Sequence, residues 1–154
     1  MPRHVQASHR IVIDAPVDRC FMLFTPAGEE LWVDGWQPTY VHPEDGRTEA
    51  GMVFTTGAGD ETTVWTLADF DRAQHRSRYL RCTPGSRTGL VEVRCKALEG
   101  GRSEVQVGYT MTALSEAGEQ VLEAFEGERF AAMIDGWARE IAARREFLLQ
   151  AEIR

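Results

Sequence analysis

Asparagine is absent from this 154-residue chain, lysine occurs once, as Lys96, and cysteine three times. Without Asn there is no acceptor for N-glycosylation. Arg makes up the rest of the basic residues, as the coding bias of a GC-rich bacterial genome would give, which carries little weight for function. Cys20, Cys82 and Cys95 are odd in number and occupy positions that otherwise read as apolar, which suits reduced, buried thiols better than a disulfide framework. No apolar run approaches the 18 or so residues of a membrane helix. The polar, alternating stretch Met1 to Arg10 lacks the apolar core of a signal peptide, so a cytoplasmic address is expected.

Metal and nucleotide signatures are missing as well. His4, His9, His42 and His75 are scattered without ligand spacing, and no Cys-x-x-Cys pair occurs. Gly57-Ala58-Gly59-Asp60 falls between strands, where no helix N-terminus is at hand for a phosphate. Neither metal nor cofactor is expected. Seventeen basic and twenty-four acidic residues give a formal net charge of −7, which repels phosphate backbones and argues against nucleic acid as a partner. The exception is Arg76 to Lys96, which holds Arg76, Arg78, Arg81, Arg87, Arg94 and Lys96 against one acid, Glu92. No base-stacking aromatics interleave with these cations, so the stretch reads as a solvated sheet face.

A hydrophobic content of 43% suits a globular chain. The length suits a single domain over 1–154 that buries roughly 70% of its unfolded surface. His4 to Ile13 alternates and ends in a β-branched run, the pattern of a first strand. Asp14-Ala15-Pro16 stops it, and Val17, Cys20, Phe21 and Phe24 then fall on one face of a short helix. A second short helix is expected over Pro26 to Leu31.

From Gln37 to Ala113 the period changes to two. Turn residues punctuate it at Pro43 to Gly46, Gly57 to Asp60, Asp71 to His75, Pro84 to Arg87 and Gly100-Gly101, predicting an antiparallel meander. Leu90 to Glu99 and Ser103 to Ala113 are its clearest strands. Thr62 to Asp71 carries apolar residues on both faces, Val64 and Phe70 against Trp65 and Leu67, so its orientation stays open, as does the face of strand 76–83.

The region after Ser115 is helical in pattern. One unbroken helix to Gln150 would run about 54 Å, against a globule roughly 38 Å across, so a break is expected at Gly127. That leaves a principal helix from Glu128 to Gln150, about 35 Å long. Phe130, Met133, Ile134, Trp137, Ile141 and Leu148 form its apolar stripe. Gly136, in mid-helix, marks either a close approach to the backbone or tolerated drift.

This order of elements, with Ile11-Val12-Ile13-Asp14-Ala15-Pro16-Val17 and Phe21, Trp32 to Trp36 followed by Pro38, Gly51 before Phe54, and Leu114-Ser115-Glu116-Ala117-Gly118 before the last helix, resembles the START-like or SRPBCC superfamily. Its polyketide cyclase/dehydrase-like and Hsp90-activator-like branches are the nearest in pattern. The resemblance covers nearly the whole chain and implies the α+β helix-grip fold of Bet v 1-like proteins. In that fold a curved antiparallel sheet of about seven strands wraps a long C-terminal helix, with two short helices after strand 1. It also implies a cavity between sheet and helix for a lipid, a polyketide or another hydrophobic molecule, though a fold does not fix a function.

Such a cavity needs aromatic walls and a few polar anchors. Trp32, Trp36, Phe54, Trp65, Tyr79, Tyr109, Met133 and Trp137 are candidates for the walls, or else simply fill the core. Tyr79, Arg81 and Tyr109 are candidate anchors, although Arg81 reads first as a surface residue because the phase of its strand is open. Asp69 and Asp71 share a strand phase with Trp65 and are either a buried base or exposed loop carboxylates. Three functions remain open: a non-catalytic binder of a small hydrophobic molecule, a cyclase/dehydrase-like enzyme, and a protein-binding module. A binder calls for a void of about 300 Å³ or more, an enzyme for titratable groups converging on one spot, a module for a large exposed apolar patch. Binding is favoured over catalysis, and a second copy of the chain is a further candidate partner.

Overall fold

Strand β1 (His4–Ile13) alternates as its sequence predicts, with Val5, Ile11 and Ile13 buried and Ser8, Arg10 and Val12 exposed. The computed structural model to which it belongs describes residues 3–154, with Ala58 by its backbone alone. Met1 and Pro2, the start of the polar opening stretch, lie outside the described residues. Pro16 caps α1 (Val17–Met22), which buries Cys20, Phe21 and Met22. Thr25 caps α2 (Pro26–Glu29), its Oγ1 accepting from the Gly28 N–H at 3.1 Å with Pro26 in the first turn.

Six further strands follow: β2 (Thr39–His42), β3 (Val53–Ala58), β4 (Glu61–Asp71), β5 (Arg76–Thr83), β6 (Arg87–Ala97) and β7 (Ser103–Ala113). All seven form one antiparallel sheet in the order β1-β7-β6-β5-β4-β3-β2, so β1 closes against β7. Only that pairing departs from a plain meander. Period-two alternation along each strand puts one set of side chains on the concave, buried face. On β7 these are Val105, Val107, Tyr109 and Met111, all buried.

In β4 the register shifts between Leu67 and Asp69, a β-bulge that settles the ambiguity of this strand. Trp65 and Leu67 face inward, Val64 outward, and the extra residue reverses the phase so that Phe70 also turns inward, stacking on Phe21 at 5.6 Å. The same reversal leaves Asp69 exposed and engages Asp71 with its own turn, where Oδ1 accepts from the Gln74 N–H at 3.0 Å. Neither aspartate reaches the interior as a base.

After β7, Ser115 caps α3 (Glu116–Leu122), which lies against the β5–β6 turn so closely that a Cβ on Gly118 would sit 1.8 Å from the Ser86 carbonyl oxygen. Gly127 (φ 50°) then opens α4 (Gly127–Ala143), which packs along the concave face beside β1 and buries Phe130, Ile134 and Ile141. The principal helix ends earlier than its sequence predicts. Arg144 leaves helical geometry (φ −116°, ψ 18°) while its guanidinium donates to the Glu140 carbonyl at 3.1 Å and carboxylate at 2.6 Å. A separate α5 (Arg145–Gln150) follows, in which Leu148 is buried. At 17 residues, α4 is about 26 Å long. No helix among the described residues is long and apolar enough to cross a membrane.

Candidate functional site

Register brings the concave side chains into rows across the sheet. One row runs Phe54, Trp65, Arg81, Gly89, and the next Leu67, Tyr79, Val91, Tyr109. Above them a void of about 230 Å³ remains between the sheet and the helices. Trp137 of α4, Phe24 after α1, and Val33 and Trp36 after α2 close it from above. It falls short of the 300 Å³ expected of a drug-sized ligand pocket. The reason is the aromatic lining: Phe54 and Trp65 stack at 5.7 Å with 7° between their planes, and Trp36 and Tyr79 meet both edge-on at 5.9–6.5 Å. A void of roughly 150 Å³ suffices for benzene, so this one has the size of a substituted single ring.

The cage is held by its own polar tips. Trp65 Nε1 donates to Thr56 Oγ1 at 3.0 Å, Trp36 Nε1 to the Pro26 carbonyl at 3.0 Å, and the Tyr79 hydroxyl to the Phe24 carbonyl at 3.2 Å. These groups are spoken for within the protein, and the wall is preformed.

Arg81 is not satisfied in this way. It stands opposite Trp65 in the register, with its guanidinium carbon 4.6 Å from the indole centre, and its buried Nε has no acceptor among the described residues. Burial depresses its pKa. Burial also pushes the Tyr109 phenol up to about 12, against the pull of the Arg81 charge, and Tyr79 well above its usual value.

Glu29 is the feature that its sequence hides. Its side chain lines the void beside Val33 and Trp36. It keeps some accessible surface because it borders the void, but it lies deep in the protein, and burial raises its pKa from 4.5 to about 8. At neutral pH it is therefore mostly a neutral donor. The backbone explains its position: the Val33 N–H donates to the Glu29 carbonyl at 2.8 Å, prolonging the α2 turn and setting Glu29, Val33 and Trp36 on one side. The spacing i, i+4, i+7 of an acid with two apolar residues was the available signal.

Of the nine residues proposed from sequence, Trp36, Phe54, Trp65, Tyr79, Arg81, Tyr109 and Trp137 border the void. Trp32 and Met133 do not. Trp32 is buried behind the wall, its Nε1 donating to the Leu23 carbonyl at 2.8 Å and its ring edge-on to Trp137, and Met133 packs on the core, half-buried. The buried Cys95 thiol is pushed far up by the neighbouring Cys20 thiol and by desolvation, which makes it no nucleophile.

No protein-family model and no curated protein sequence matches the chain. Solved structures do. Norcoclaurine synthase from Thalictrum flavum in complex with dopamine and hydroxybenzaldehyde superposes with a TM-score of 0.64 at 11% identity, over 92% of this chain and 88% of that one. The Zhui aromatase/cyclase of a Streptomyces species gives 0.65 at 15% identity over 93% and 96%, and Ara h 8.0201 gives 0.65 at 14% over 97% and 100%. The fold is that of the START-like, Bet v 1-like superfamily. At these identities the likeness concerns the START-like fold alone, which is also found in enzymes, so the chemistry has to be argued from the residues at the void.

Proposed function

We propose that the protein binds a small, single-ring aromatic molecule in this cavity, with a carbonyl or hydroxyl of the ligand meeting Glu29 and Arg81. The observation that carries the reading is a preformed aromatic cage of about 230 Å³ lined by Glu29 and by Arg81, whose Nε lacks an acceptor among the described residues. The volume favours dopamine-sized molecules, such as those bound to norcoclaurine synthase, over sterols or long-chain lipids.

A second reading, catalysis of the cyclase/dehydrase kind, is favoured by one feature: the titratable groups Glu29, Arg81 and Tyr109 line the same cavity. An acid poised near 8 can deliver or accept a proton at neutral pH, and an adjacent guanidinium can hold a developing oxyanion. A protein-binding role has less behind it. Of the large exposed apolar side chains among the described residues, Val64 and Leu80 share the outer face of β4 and β5, while Val12, Val41, Leu114 and Phe147 stand elsewhere in the chain.

Titration of tryptophan emission and calorimetry with phenol, hydroxybenzaldehyde, naphthol, palmitate and cholesterol test the proposal. Saturable binding of the one-ring compounds with a negative heat-capacity change is expected, with no binding of the sterol. Failure of every one-ring compound to bind up to millimolar concentration would refute it. Turnover of a bound aldehyde, lost in Glu29→Gln while its binding persists, would establish the enzymatic reading.

A further inference from the structure

A second hollow of about 240 Å³ lies beside the cavity and shares Trp36, Thr56 and Arg81 with it. Its other wall includes Glu61, Thr63 and Arg87. Arg87 occupies the head of β6 in the concave phase, paired with Thr83 on one side and Ala113 on the other. This is not the solvated cation that its neighbours in sequence are: Arg76, Arg78, Arg94 and Lys96 are exposed, whereas the Arg87 side chain is only 10% exposed. Its Nη1 donates to Ser86 Oγ at 2.9 Å and lies 3.3 Å from both carboxylate oxygens of Glu61, but its Nε has no acceptor among the described residues. Arg81 Nε, on the shared wall, is in the same condition. Thr63 and Thr83, in the same row, hydrogen-bond each other at 2.7 Å and leave the guanidiniums alone.

The hollow therefore sets two guanidiniums against one carboxylate, Glu61, whose side chain is 51% exposed and screened by water. In a chain with a net charge of −7 this is a local reversal of sign. A buried N–H without an acceptor is unfavourable, and the guanidinium fork is shaped for the paired oxygens of a carboxylate or phosphate.

We propose that this outer hollow is an anion subsite and that the ligand is an aromatic ring bearing a short tail that ends in a carboxylate or phosphate monoester. The ring occupies the cavity, the tail passes Trp36 and Thr56, and the anion sits between Arg81 and Arg87. This rests on the cavity reading above and adds to it the charge and length of the ligand.

Matched probes separate the two claims. Phenylbutyrate and phenylpropyl phosphate are compared with phenylbutanol by calorimetry on the wild-type chain and on Arg87→Gln, Arg87→Lys and Glu61→Gln, with folding checked by circular dichroism. The anions should bind at least tenfold more tightly than the alcohol, with carboxylate and phosphate ranked by the same experiment. Arg87→Gln should erase that advantage and leave the alcohol within twofold, and Arg87→Lys should retain part of it. Glu61→Gln, which removes the competing acid and keeps Arg87, should strengthen anion binding severalfold, and it serves even where Arg87→Gln does not fold. Equal affinities for alcohol and anions in the wild-type chain would overturn the subsite while leaving the cavity reading intact. An anion preference that survives in folded Arg87→Gln, or is unchanged in Glu61→Gln, would overturn it too. Failure of all three probes while phenol and hydroxybenzaldehyde bind would overturn the subsite alone, and failure of those two as well would overturn both readings.

Discussion

Trp65 and Arg81 face each other across β4 and β5, the guanidinium carbon 4.6 Å from the centre of the indole ring, with Arg81 Nε buried and lacking an acceptor among the described residues. The aromatic face compensates part of the cost of the buried cation, by about 0.5–2 kcal/mol, and the missing acceptor leaves the rest. On the binding reading proposed above, such a group is kept for its ligand rather than for the fold. Arg81→Met should therefore stabilise the ligand-free protein by about 1 kcal/mol in a urea titration, while weakening binding of carbonyl or hydroxyl compounds at least tenfold. A loss of stability beyond about 1 kcal/mol would assign the guanidinium to the fold instead.

Glu29 makes stability depend on pH with a definite sign. Its pKa is raised in the folded state from 4.5 to about 8, so between these values the folded chain holds a proton that the unfolded chain has released. Stability thus falls as pH rises through that window and is unaffected by this group below it. Glu29→Gln removes the dependence. The variant and the wild type should match below about pH 4 and separate steadily, the variant becoming more stable by roughly 2–4 kcal/mol above pH 8. Parallel stability curves across the whole range would show that Glu29 is solvated and ionised in the fold.

The regular parts of this fold are written plainly in local pattern, and the site depends on the irregular ones. The alternation of β1 and β7 follows from their own residues because each has one buried face. The bulge after Leu67 leaves no such trace: the extra residue, Ala68, is neither Gly nor Pro, yet it reverses the phase of Asp69, Phe70 and Asp71. Arg87 follows Thr-Pro-Gly-Ser and reads as the end of a turn, whereas its pairing with Ala113 makes it the first residue of a strand and points it inward. The pair Glu29-Glu30 looks solvated on composition, and only the continuation of the turn to Val33 separates their fates. Long-range register, which no short window encodes, decides the β4 positions and Arg87, whereas Glu29 is placed by a local turn.

Val91 tests whether the void itself is the binding site. It borders the void between Tyr79 and Tyr109 in the same row, and an added ring would occupy the space assigned to the ligand. Val91→Phe should keep its stability within about 1.5 kcal/mol, since the void accepts much of the added volume. It should also abolish saturable quenching of tryptophan emission by one-ring compounds. Undiminished binding in a folded variant would place the ligand elsewhere.

The two faces of α4 should respond to substitution in opposite directions. Ile134 is fully buried against the sheet, so Ile134→Ala deletes packed atoms and leaves a cavity, with an expected loss of about 2–5 kcal/mol. Gly136, two residues on, has nothing close to it: a Cβ there would meet only Arg139 Nη2, at 3.5 Å, which is an ordinary contact with a flexible side chain. The close approach that a mid-helix glycine suggests is therefore absent at this position among the described residues. Gly136→Ala should then stabilise the helix by about 0.5–1 kcal/mol through the lower entropy of the unfolded chain. Both are read from urea midpoints at constant slope. If Ile134→Ala costs less than about 0.5 kcal/mol, the helix presents a different face to the sheet, and if Gly136→Ala destabilises, something approaches the backbone there after all.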